Sequence, residues 1–324
     1  MCIEDGKLRR PVRALNLGDI GAPMTHHDIR PYDGIFVPLV TPFLASMEID
    51  WAALERLVRF YAGLGLAGFV PCGSTGEAST LSMQEHKAVI SFVTEKAKAL
   101  GDFRVVAATG SNSTQECLEL TAHAKASGVD ACLVVTPYYV RPNRSGLLAH
   151  YGRVSELDLD VLLYNIPLRA GLNLTLEDIV LLHAKVARIV GIKEATSDIG
   201  QLIDVAHHFA DDATFTVLSG EDALLFDCCV NGGRGSICAT ALVYPREVVA
   251  LHRHLVAGQL REAASINRWL RPRVKALFCE SNPVAIKHAL SRVHGILPIT
   301  RAPLGPASAQ AVKTIDALGL EPES

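Results

Sequence analysis

Long apolar runs and clusters of basic residues are both missing from this sequence. A membrane-spanning helix needs about 18 consecutive apolar residues, and nucleic-acid or membrane-surface binding usually shows as clustered Lys and Arg. The chain has 31 Lys and Arg against 34 Asp and Glu, for a formal net charge of -3. We therefore expect that it binds neither membranes nor nucleic acids.

Cysteine pairs at metal-binding or redox spacing are also missing, although the chain has eight cysteines. No C-x-x-C motif occurs, and several cysteines lie in apolar segments such as residues 131–135. Such thiols behave as small apolar side chains, whereas a secreted protein would be expected to pair them. We expect free cysteines in a reducing, cytoplasmic environment.

Histidines do not occur in a pattern typical of metal ligands. His252 and His254 are two positions apart on a predicted helix, and His207 and His208 are adjacent. The members of neither pair share a helix face, so we expect no metal site. A metal-dependent aldolase is the alternative, and activity that survives EDTA would count against it.

The first 30 residues differ from the rest of the chain. They carry Gly, Pro and charges without hydrophobic periodicity, and they contain no apolar segment typical of a signal peptide. We expect residues 1–30 to form a disordered tail, with Met24 as a second candidate start. From there the pattern predicts a barrel over residues 31–257 and helices over residues 258–324 that pack on it.

Short apolar runs alternate with longer amphipathic segments from residue 35 onwards. Short apolar runs bounded by Gly and polar residues are typical of buried parallel strands. The predicted strands are Ile35–Leu39, Gly68–Cys72, Arg104–Ala108, Ala131–Val135, Val161–Tyr164, Ile189–Lys193, Thr214–Leu218 and Gly235–Cys238. The predicted helices between them include Trp51–Leu64, Met83–Leu100, Thr114–Ser127 and Leu176–Lys185, and Ser82 with Glu85 predicts a capping box before the second of these.

Eight alternating β and α units predict an α/β protein with a (β/α)8 TIM barrel. The alternative, a doubly wound open sheet, would need a glycine-rich phosphate loop after its first strand, and Val40-Thr41-Pro42-Phe43 is not one. Only helical segments follow the eighth unit, over Gln259–Cys279, Pro283–Ser291 and Pro306–Leu318. They predict a C-terminal helical appendage.

Lys193 is the most informative residue, because it ends the apolar run Ile189–Lys193. In a TIM barrel the active site lies at the carboxyl ends of the strands. Desolvation there favours the neutral amine, which can attack a carbonyl to form a Schiff base. A lysine that only snorkels or forms an ion pair would show the same local pattern. The residues at the other strand ends are therefore needed to distinguish a catalytic lysine from a structural one.

Several other strand ends carry groups that suit a 2-ketoacid. They are Gly73–Glu77, Thr136–Tyr139, Tyr164, Arg169 and Ser219–Asp222. Backbone N–H groups in a Gly-Ser-Thr-Gly turn can bind a carboxylate, and a phenol beside a lysine can transfer protons. Each segment alone is compatible with an ordinary turn, a packed loop or a surface charge. Their occurrence at one end of one barrel favours an active site.

Four blocks together resemble the dihydrodipicolinate synthase and N-acetylneuraminate lyase family, class I aldolases on a (β/α)8 barrel. The blocks are Gly73–Glu77, Thr136–Pro142, Tyr164–Gly171 and Gly191–Ala195, and the resemblance covers roughly residues 33–318. It implies a lyase that forms a Schiff base with pyruvate, adds an aldehyde acceptor and needs no cofactor. It also implies a homotetramer arranged as a dimer of dimers.

The same resemblance implies roles for the catalytic residues. Lys193 would form the imine with pyruvate, and Tyr164 would be the acid–base phenol beside it. Ser74 and Tyr139 would complete a proton relay, with Tyr139 reaching in from a neighbouring subunit.

The resemblance also implies a substrate-binding group. Thr75 would bind the pyruvate carboxylate, and Gly220 and Ile237 would line the pocket. Arg169 would bind the distal carboxylate of the acceptor, since its planar fork suits a carboxylate.

Arg169 favours dihydrodipicolinate synthase, whose acceptor is L-aspartate semialdehyde, over sialate lyase. Ser74 and Ala170 stand where synthases commonly have threonine. The alternative is therefore a related aldolase, lyase or dehydratase for a sugar acid such as N-acetylneuraminate or 2-keto-3-deoxygluconate. A non-catalytic sensor on the same fold would be expected to lose Lys193 or Tyr164, and both are present.

A possible effector site for lysine is implied at the subunit interface. Its retained residues would be Asn112, Glu116, His86 and Tyr138. Met83 and Ala78 replace a His and a Ser that are often seen there. We therefore expect weak or absent inhibition by lysine.

Overall fold

The computed structural model describes residues 32–322, and eight parallel strands form a closed barrel at its centre. The strands follow one another in chain order, and the first pairs with the eighth to close the barrel. They are β1 Gly34–Pro38, β2 Gly68–Val70, β3 Arg104–Ala108, β4 Ala131–Val135, β5 Asp160–Asn165, β6 Ile189–Glu194, β7 Thr216–Ser219 and β8 Gly235–Ile237. The predicted TIM barrel is confirmed, and the doubly wound alternative is wrong.

Helices surround the barrel and continue beyond its last strand. They are α1 Trp51–Ala62, α2 Met83–Leu100, α3 Thr114–Ala126, α4 Arg144–Ser155, α5 Pro167–Ala170, α6 Leu176–Lys185, α7 Ile199–His208, α8 Leu225–Val230, α9 Pro245–Val256, α10 Leu260–Leu277, α11 Val284–His294 and α12 Ala309–Asp316. The predicted C-terminal helices are thus present as α10 to α12. The predicted tail over residues 1–30 lies outside the described residues. Between residues 32 and 322, no helix combines the length and the apolar character that a membrane span requires.

The element boundaries differ from the predicted ones by a few residues, and local side chains explain several of these differences. The predicted capping box forms, with Ser82 and Glu85 each bonding the other's backbone N–H. Strand β2 ends early because Cys72 has a left-handed backbone with φ of 58°. Strand β7 starts late because Asp212 accepts hydrogen bonds from the backbone and hydroxyl of Thr214, which forms a turn.

Side chains on each strand alternate between the barrel interior and the surrounding helices. On β5, Leu162 and Tyr164 belong to the interior cluster, whereas Val161 and Leu163 pack towards the helices. On β6, Ile192 likewise packs towards the helices. The alternation therefore directs the next side chain along β6, that of Lys193, into the barrel.

A network of ion pairs holds the amino ends of the strands. The Tyr32 hydroxyl donates to Asp160 Oδ2 at 2.9 Å. Asp130 accepts hydrogen bonds from Lys98 at 2.8 Å, Arg104 at 3.0 Å and the backbone N–H of Val105 at 2.7 Å. These charges lie at the end of the barrel opposite the predicted active site.

The C-terminal appendage covers part of the carboxyl end of the barrel. Arg301 forms an ion pair with Glu85 of α2 at 2.7 Å and donates to the backbone oxygen of Met47 at 2.5 Å. Its backbone N–H also donates to Glu77 at 3.0 Å. The segment around Arg301 is thereby fixed on the loops that follow β1 and β2.

Candidate active site

A cavity of about 480 Å³ lies at the carboxyl ends of the strands. It is lined by three predicted site residues, Ser74, Tyr164 and Arg169, by three residues of the predicted effector group, His86, Glu116 and Tyr138, and by residues of the C-terminal part, Asn282, Pro303 and Leu304. A cavity at this position is where TIM-barrel enzymes place their chemistry.

Lys193 and Tyr164 are neighbours at the centre of this end of the barrel. They are register partners on β6 and β5, and Lys193 Nζ lies 4.3 Å from the centroid of the Tyr164 ring. Lys193 is 8 % exposed. An amine that is buried against a phenol ring can reach a carbonyl bound in the barrel mouth, and the phenol lies close enough to exchange protons with that adduct.

Gly220, directly after β7, packs against Lys193, and Ile237 on β8 packs in the same interior cluster as Tyr164. A Cβ atom on Gly220 would lie 2.8 Å from both Cγ and Cε of Lys193. Only glycine lets the backbone approach the lysine stem this closely. Ile237 is buried in the apolar barrel interior together with Tyr164 and Leu218, rather than in the lining of the cavity.

Two carboxyl groups lie within electrostatic reach of Lys193. Burial raises the pKa of Glu221, and the neighbouring Asp222 adds to this increase, while the positive charge of Lys193 lowers the pKa. Burial also raises the pKa of Asp222, again against the effect of Lys193. The Asp222 carboxylate accepts hydrogen bonds from the backbone N–H groups of Ala239 and Thr240. Both carboxyl groups therefore interact electrostatically with the Lys193 side chain.

Directly behind Lys193, Glu194 joins the ends of β5 and β6. Its carboxylate accepts hydrogen bonds from the Asn165 amide at 3.0 Å, the Gln201 amide at 3.2 Å and the Thr196 backbone at 2.9 Å. Burial raises the pKa of Glu194 to about 7, against the lowering effect of these donors. Since Asn165 and Glu194 directly follow Tyr164 and Lys193, this contact fixes the spacing of the two predicted catalytic residues.

Thr75 lies in the turn after β2 and contacts the C-terminal part of the chain. It is 4 % exposed, and its hydroxyl accepts a hydrogen bond from Asn282 Nδ2 at 2.9 Å. Arg169 Nη2 donates to the backbone oxygen of Asn282 at 3.1 Å. Asn282 Oδ1 is buried and has no hydrogen-bond partner among the described residues, so a substrate donor could pair with it. Asn282 thus links the predicted pyruvate and acceptor subsites.

Tyr139 does not enter the cavity of its own chain. It is 88 % exposed and has a left-handed backbone with φ of 69°. Its backbone N–H donates to Ala170 at 3.3 Å, which holds the loop against α5. Leu168 on α5 and Val140 are also exposed, at 95 % and 56 %. An exposed apolar cluster around a strained tyrosine is typical of a contact surface.

Three of the four predicted effector residues line the cavity, and Asn112 does not. His86 Nε2 lies 2.8 Å from the carbonyl oxygen of Ala108, and burial lowers the pKa of this histidine. The Ser111 hydroxyl donates to Glu116. Asn112 is half-buried in the loop after β3, outside the cavity lining.

Four residues of the site were assigned no individual role from the sequence. They are Asn165, Glu194, Asp222 and Asn282. The strand alternation directs Glu194 away from the cavity, so its proximity to Asn165 depends on the register of β5 and β6. Asn282 is separated from Thr75 by 207 positions, and no local pattern reports such a contact. Within residues 32–322, no three His, Cys, Asp or Glu side chains are arranged to hold a metal ion.

A buried lysine against a tyrosine at the carboxyl end of a TIM barrel defines the class of Schiff-base lyases, or class I aldolases. The sequence model described as the dihydrodipicolinate synthetase family matches residues 31–318. The chain belongs to this family, and it is an enzyme of the lyase class as predicted.

The chain matches known relatives over nearly their whole length. The chain is 40% identical over 285 residues to a 4-hydroxy-tetrahydrodipicolinate synthase of Methanosarcina barkeri, covering 87% of this chain and 96% of that protein. A dihydrodipicolinate synthase of Acinetobacter baumannii, solved in complex with pyruvate, superposes with a TM-score of 0.84 at 36% identity, covering 88% of this chain and 97% of that one. A monomeric dihydrodipicolinate synthase variant superposes with a TM-score of 0.86 at 35% identity, covering 90% and 98%.

Proposed function

We propose that the chain is a 4-hydroxy-tetrahydrodipicolinate synthase that condenses pyruvate with L-aspartate semialdehyde. The observation that carries this proposal is the contact of Lys193 with the Tyr164 ring at 4.3 Å, and Tyr164 lines the same cavity as Arg169. The relatives support the acceptor by their names, since the proteins at about 40% identity are called 4-hydroxy-tetrahydrodipicolinate synthases.

The proposed reaction starts with attack of the neutral Lys193 amine on the ketone carbon of pyruvate. Loss of water gives the imine, and proton transfers through Tyr164 convert it to the enamine. The enamine carbon attacks the aldehyde of the acceptor and forms the new C–C bond. The amine of the acceptor then displaces Lys193, which closes the ring and frees the enzyme. The imine itself accepts the electron pair, so no cofactor is required.

Binding of the two substrates is assigned to two neighbouring groups. Thr75 and the backbone of its turn bind the pyruvate carboxylate. Gly220 packs against the stem of Lys193 behind the imine, and Ile237 packs with Tyr164 in the barrel interior. Arg169 binds the carboxylate of the acceptor, because its exposed guanidinium lies at the mouth of the cavity. The exposed position lets Arg169 reach a substrate that arrives after pyruvate.

The proton relay is proposed to include a second copy of the chain. Ser74 lines the same cavity as Tyr164, whereas Tyr139 is exposed on its own chain. Tyr139 would therefore complete the relay of a partner subunit, with Leu168 and Val140 buried in the contact. We propose a homotetramer built as a dimer of dimers. One relative is a monomeric dihydrodipicolinate synthase variant, so the tetramer is proposed for this chain alone.

A cytoplasmic location is proposed from the cysteines. Seven of them lie among the described residues, and all seven are free. Six of these are buried or half-buried, where they act as small apolar side chains. Free thiols of this kind suit a reducing compartment.

We propose that lysine inhibits this enzyme weakly or not at all. His86, Glu116 and Tyr138 line the cavity, but so do Met83 and Ala78, which cannot supply the polar contacts that a charged effector needs. Initial rates measured over a range of lysine concentrations test this. An inhibition constant in the micromolar range would contradict it.

The acceptor is tested by comparing three substrates side by side. Rates are measured with pyruvate plus L-aspartate semialdehyde, with N-acetylneuraminate and with 2-keto-3-deoxygluconate. The proposal predicts efficient condensation and little cleavage of either sugar acid. Arg169→Ala should lower kcat/KM for the semialdehyde about 10- to 100-fold, whereas Arg153→Ala, on the exposed face of α4, should not. Faster cleavage of a sugar acid would favour the alternative, a sugar-acid aldolase.

A further inference from the structure

An ion pair with no part in the chemistry is buried next to the turn that binds pyruvate. Lys287 of α11 and Glu77 of the turn both have side chains that are 0% exposed, and Lys287 Nζ pairs with Glu77 Oε1. Lys287 also donates to the backbone oxygen of Ile299 at 2.8 Å, and its Nζ lies 4.1 Å from the centroid of the Phe43 ring. Both charges are therefore removed from water and compensated by each other.

Stability alone does not account for this arrangement. Burying two charges costs desolvation energy that their attraction only partly offsets, and apolar replacements are often as stable. Glu77 also has a left-handed backbone with φ of 56°, which is unfavourable for a residue other than glycine. A strained backbone and a buried charge at Glu77 together favour a role in fixing the conformation of the turn after β2.

The turn that Glu77 ends is held from several sides. The backbone N–H of Glu77 donates to Ser74 at 3.2 Å, and the Thr41 hydroxyl donates to Gly76 at 2.7 Å. A Cβ on Gly76 would lie 2.9 Å from a backbone oxygen. The second carboxylate oxygen of Glu77 accepts the backbone N–H of Arg301 at 3.0 Å.

Two contacts thus connect the C-terminal part of the chain to this one turn. Asn282 donates to the Thr75 hydroxyl, and five positions later Lys287 pairs with Glu77. Thr75 lies between Ser74 and the anchored Glu77, so the orientation of its hydroxyl depends on both contacts.

We propose that the Glu77–Lys287 ion pair positions the carboxylate-binding turn, so that the C-terminal helices set the affinity of the barrel for pyruvate. Both are positioning residues, because they act through Thr75 and the turn backbone. The inference rests on the proposed function, in which that turn binds the carboxylate of the 2-ketoacid.

Steady-state kinetics of Lys287→Met and Glu77→Gln test the proposal. A loosened turn should raise the KM for pyruvate about tenfold, while kcat at saturating pyruvate should change less than about threefold. The change in kcat is expected to be the smaller one because Lys193 and Tyr164 lie on β6 and β5, which the ion pair does not contact, and only Ser74 of the proposed relay lies in the turn.

A double-mutant cycle with Thr75→Ala separates positioning from general loss of structure. If Lys287 acts through Thr75, the two substitutions should raise the KM together by much less than the product of their separate effects.

Asp130→Asn is the destabilising control, since it breaks charged contacts at the opposite end of the barrel. It should lower the Tm without changing the KM for pyruvate. Where a single variant fails to fold, the paired variant Glu77→Gln with Lys287→Met leaves no lone buried charge and takes its place.

The pH dependence gives a further readout. Burial lowers the pKa of Lys287 to about 8, against the raising effect of Glu77, and Arg301 lowers it further. Above this pH the wild-type lysine loses its charge and the pair is broken. The ratio of KM values between Lys287→Met and wild type should therefore fall as the pH rises from 7 to 9, because the wild type approaches the variant.

The possible results distinguish failure of the positioning role from failure of the proposed function. Unchanged pyruvate KM in folded variants, or full multiplicativity with Thr75→Ala, would overturn the positioning role. Borohydride trapping at saturating pyruvate is measured on the same variants. Trapping that persists while the KM rises supports the positioning role. If the wild type itself traps no pyruvate, the proposed function has failed, and the inference fails with it.

Discussion

The two ends of the barrel use charged residues in opposite ways. At the amino end, Asp130 has a side chain that is 13% exposed, and its partners Lys98 and Arg104 are 37% and 41% exposed. At the carboxyl end, Glu77 and Lys287 have no exposed side-chain surface. The first set joins strand ends and α2 at the surface, whereas the second lies under the turn of the active site.

This difference is visible in the direction of the pKa changes. The pKa of Asp130 is lowered, since the donors Lys98, Val105 and Arg104 together outweigh its burial. The pKa of Glu194 at the other end is raised to about 7 by burial. Asp130 thus keeps a stabilised charge at the amino end, whereas burial disfavours the charges of Glu194, Glu221 and Asp222 around Lys193.

The largest effect is expected for Lys193→Ala at the carboxyl end. Removing the nucleophile should lower kcat by at least about 10⁴-fold, since the imine cannot form. The rate of condensation of pyruvate with L-aspartate semialdehyde measures this. Lys98→Ala removes a lysine from the amino end and should leave kcat within about twofold. Substantial turnover in Lys193→Ala would refute the Schiff-base mechanism.

Tyr139→Phe is expected to have the next largest effect, a loss of about 10²-fold in kcat with an unchanged Tm. The phenol transfers protons, and its loss leaves the exposed loop otherwise intact. A mixing experiment checks that Tyr139 acts in a partner subunit. Hybrids of Tyr139→Phe and Lys193→Ala protomers should regain activity, because one site then has both residues. Hybrids no more active than Tyr139→Phe alone would show that Tyr139 does not act in a partner subunit.

Glu194 is expected to make stability fall as the pH rises. Its pKa is raised from 4.5 when unfolded to about 7 when folded, so the folded state binds the proton more tightly. The contribution is most favourable below pH 4.5 and is lost between pH 4.5 and 7, by up to about 3 kcal/mol. Urea unfolding of wild type and Glu194→Gln across pH 5 to 8 measures this. Equal pH slopes in the two proteins would show that Glu194 is not the group responsible.

The smallest effect is expected for Asp130→Asn, which tests the amino end. The substitution weakens the hydrogen bonds from Lys98 and Arg104 to a charged acceptor, and it should lower the free energy of unfolding by about 2 kcal/mol. Activity at 25 °C should stay the same, because the change lies at the end opposite the cavity. Thermal unfolding and kcat measured on the same preparation provide the check. A loss of kcat without a loss of Tm would contradict the assignment of the amino end to stability and of the carboxyl end to activity.

The pattern of the sequence predicted the barrel because strand and helix signals are local. Apolar runs, the capping box at Ser82 and the position of Lys193 at a strand end depend on neighbouring residues only. Alternation along β6 places Lys193 inside and Glu194 outside, which could also be read from the sequence. The ends of β2 and β7 were less predictable, since they depend on the backbone of Cys72 and on the turn at Asp212.

The supports of the active site could not be predicted, because they join distant parts of the chain. Asn282 and Lys287 reach the turn after β2 from more than 200 positions away. Nothing in the local sequence of α11 distinguishes Lys287 from a surface lysine. Only the packing of the C-terminal helices over the barrel buries it.

Trapping the pyruvate imine with borohydride tests the central claim most directly. Protein is incubated with pyruvate and reduced, and the modified peptide is located by mass spectrometry. We expect one pyruvate-derived adduct per chain, on Lys193, and none on Lys287 or in Lys193→Ala. An adduct on another lysine, or turnover without any trapped adduct, would refute the Schiff base at Lys193.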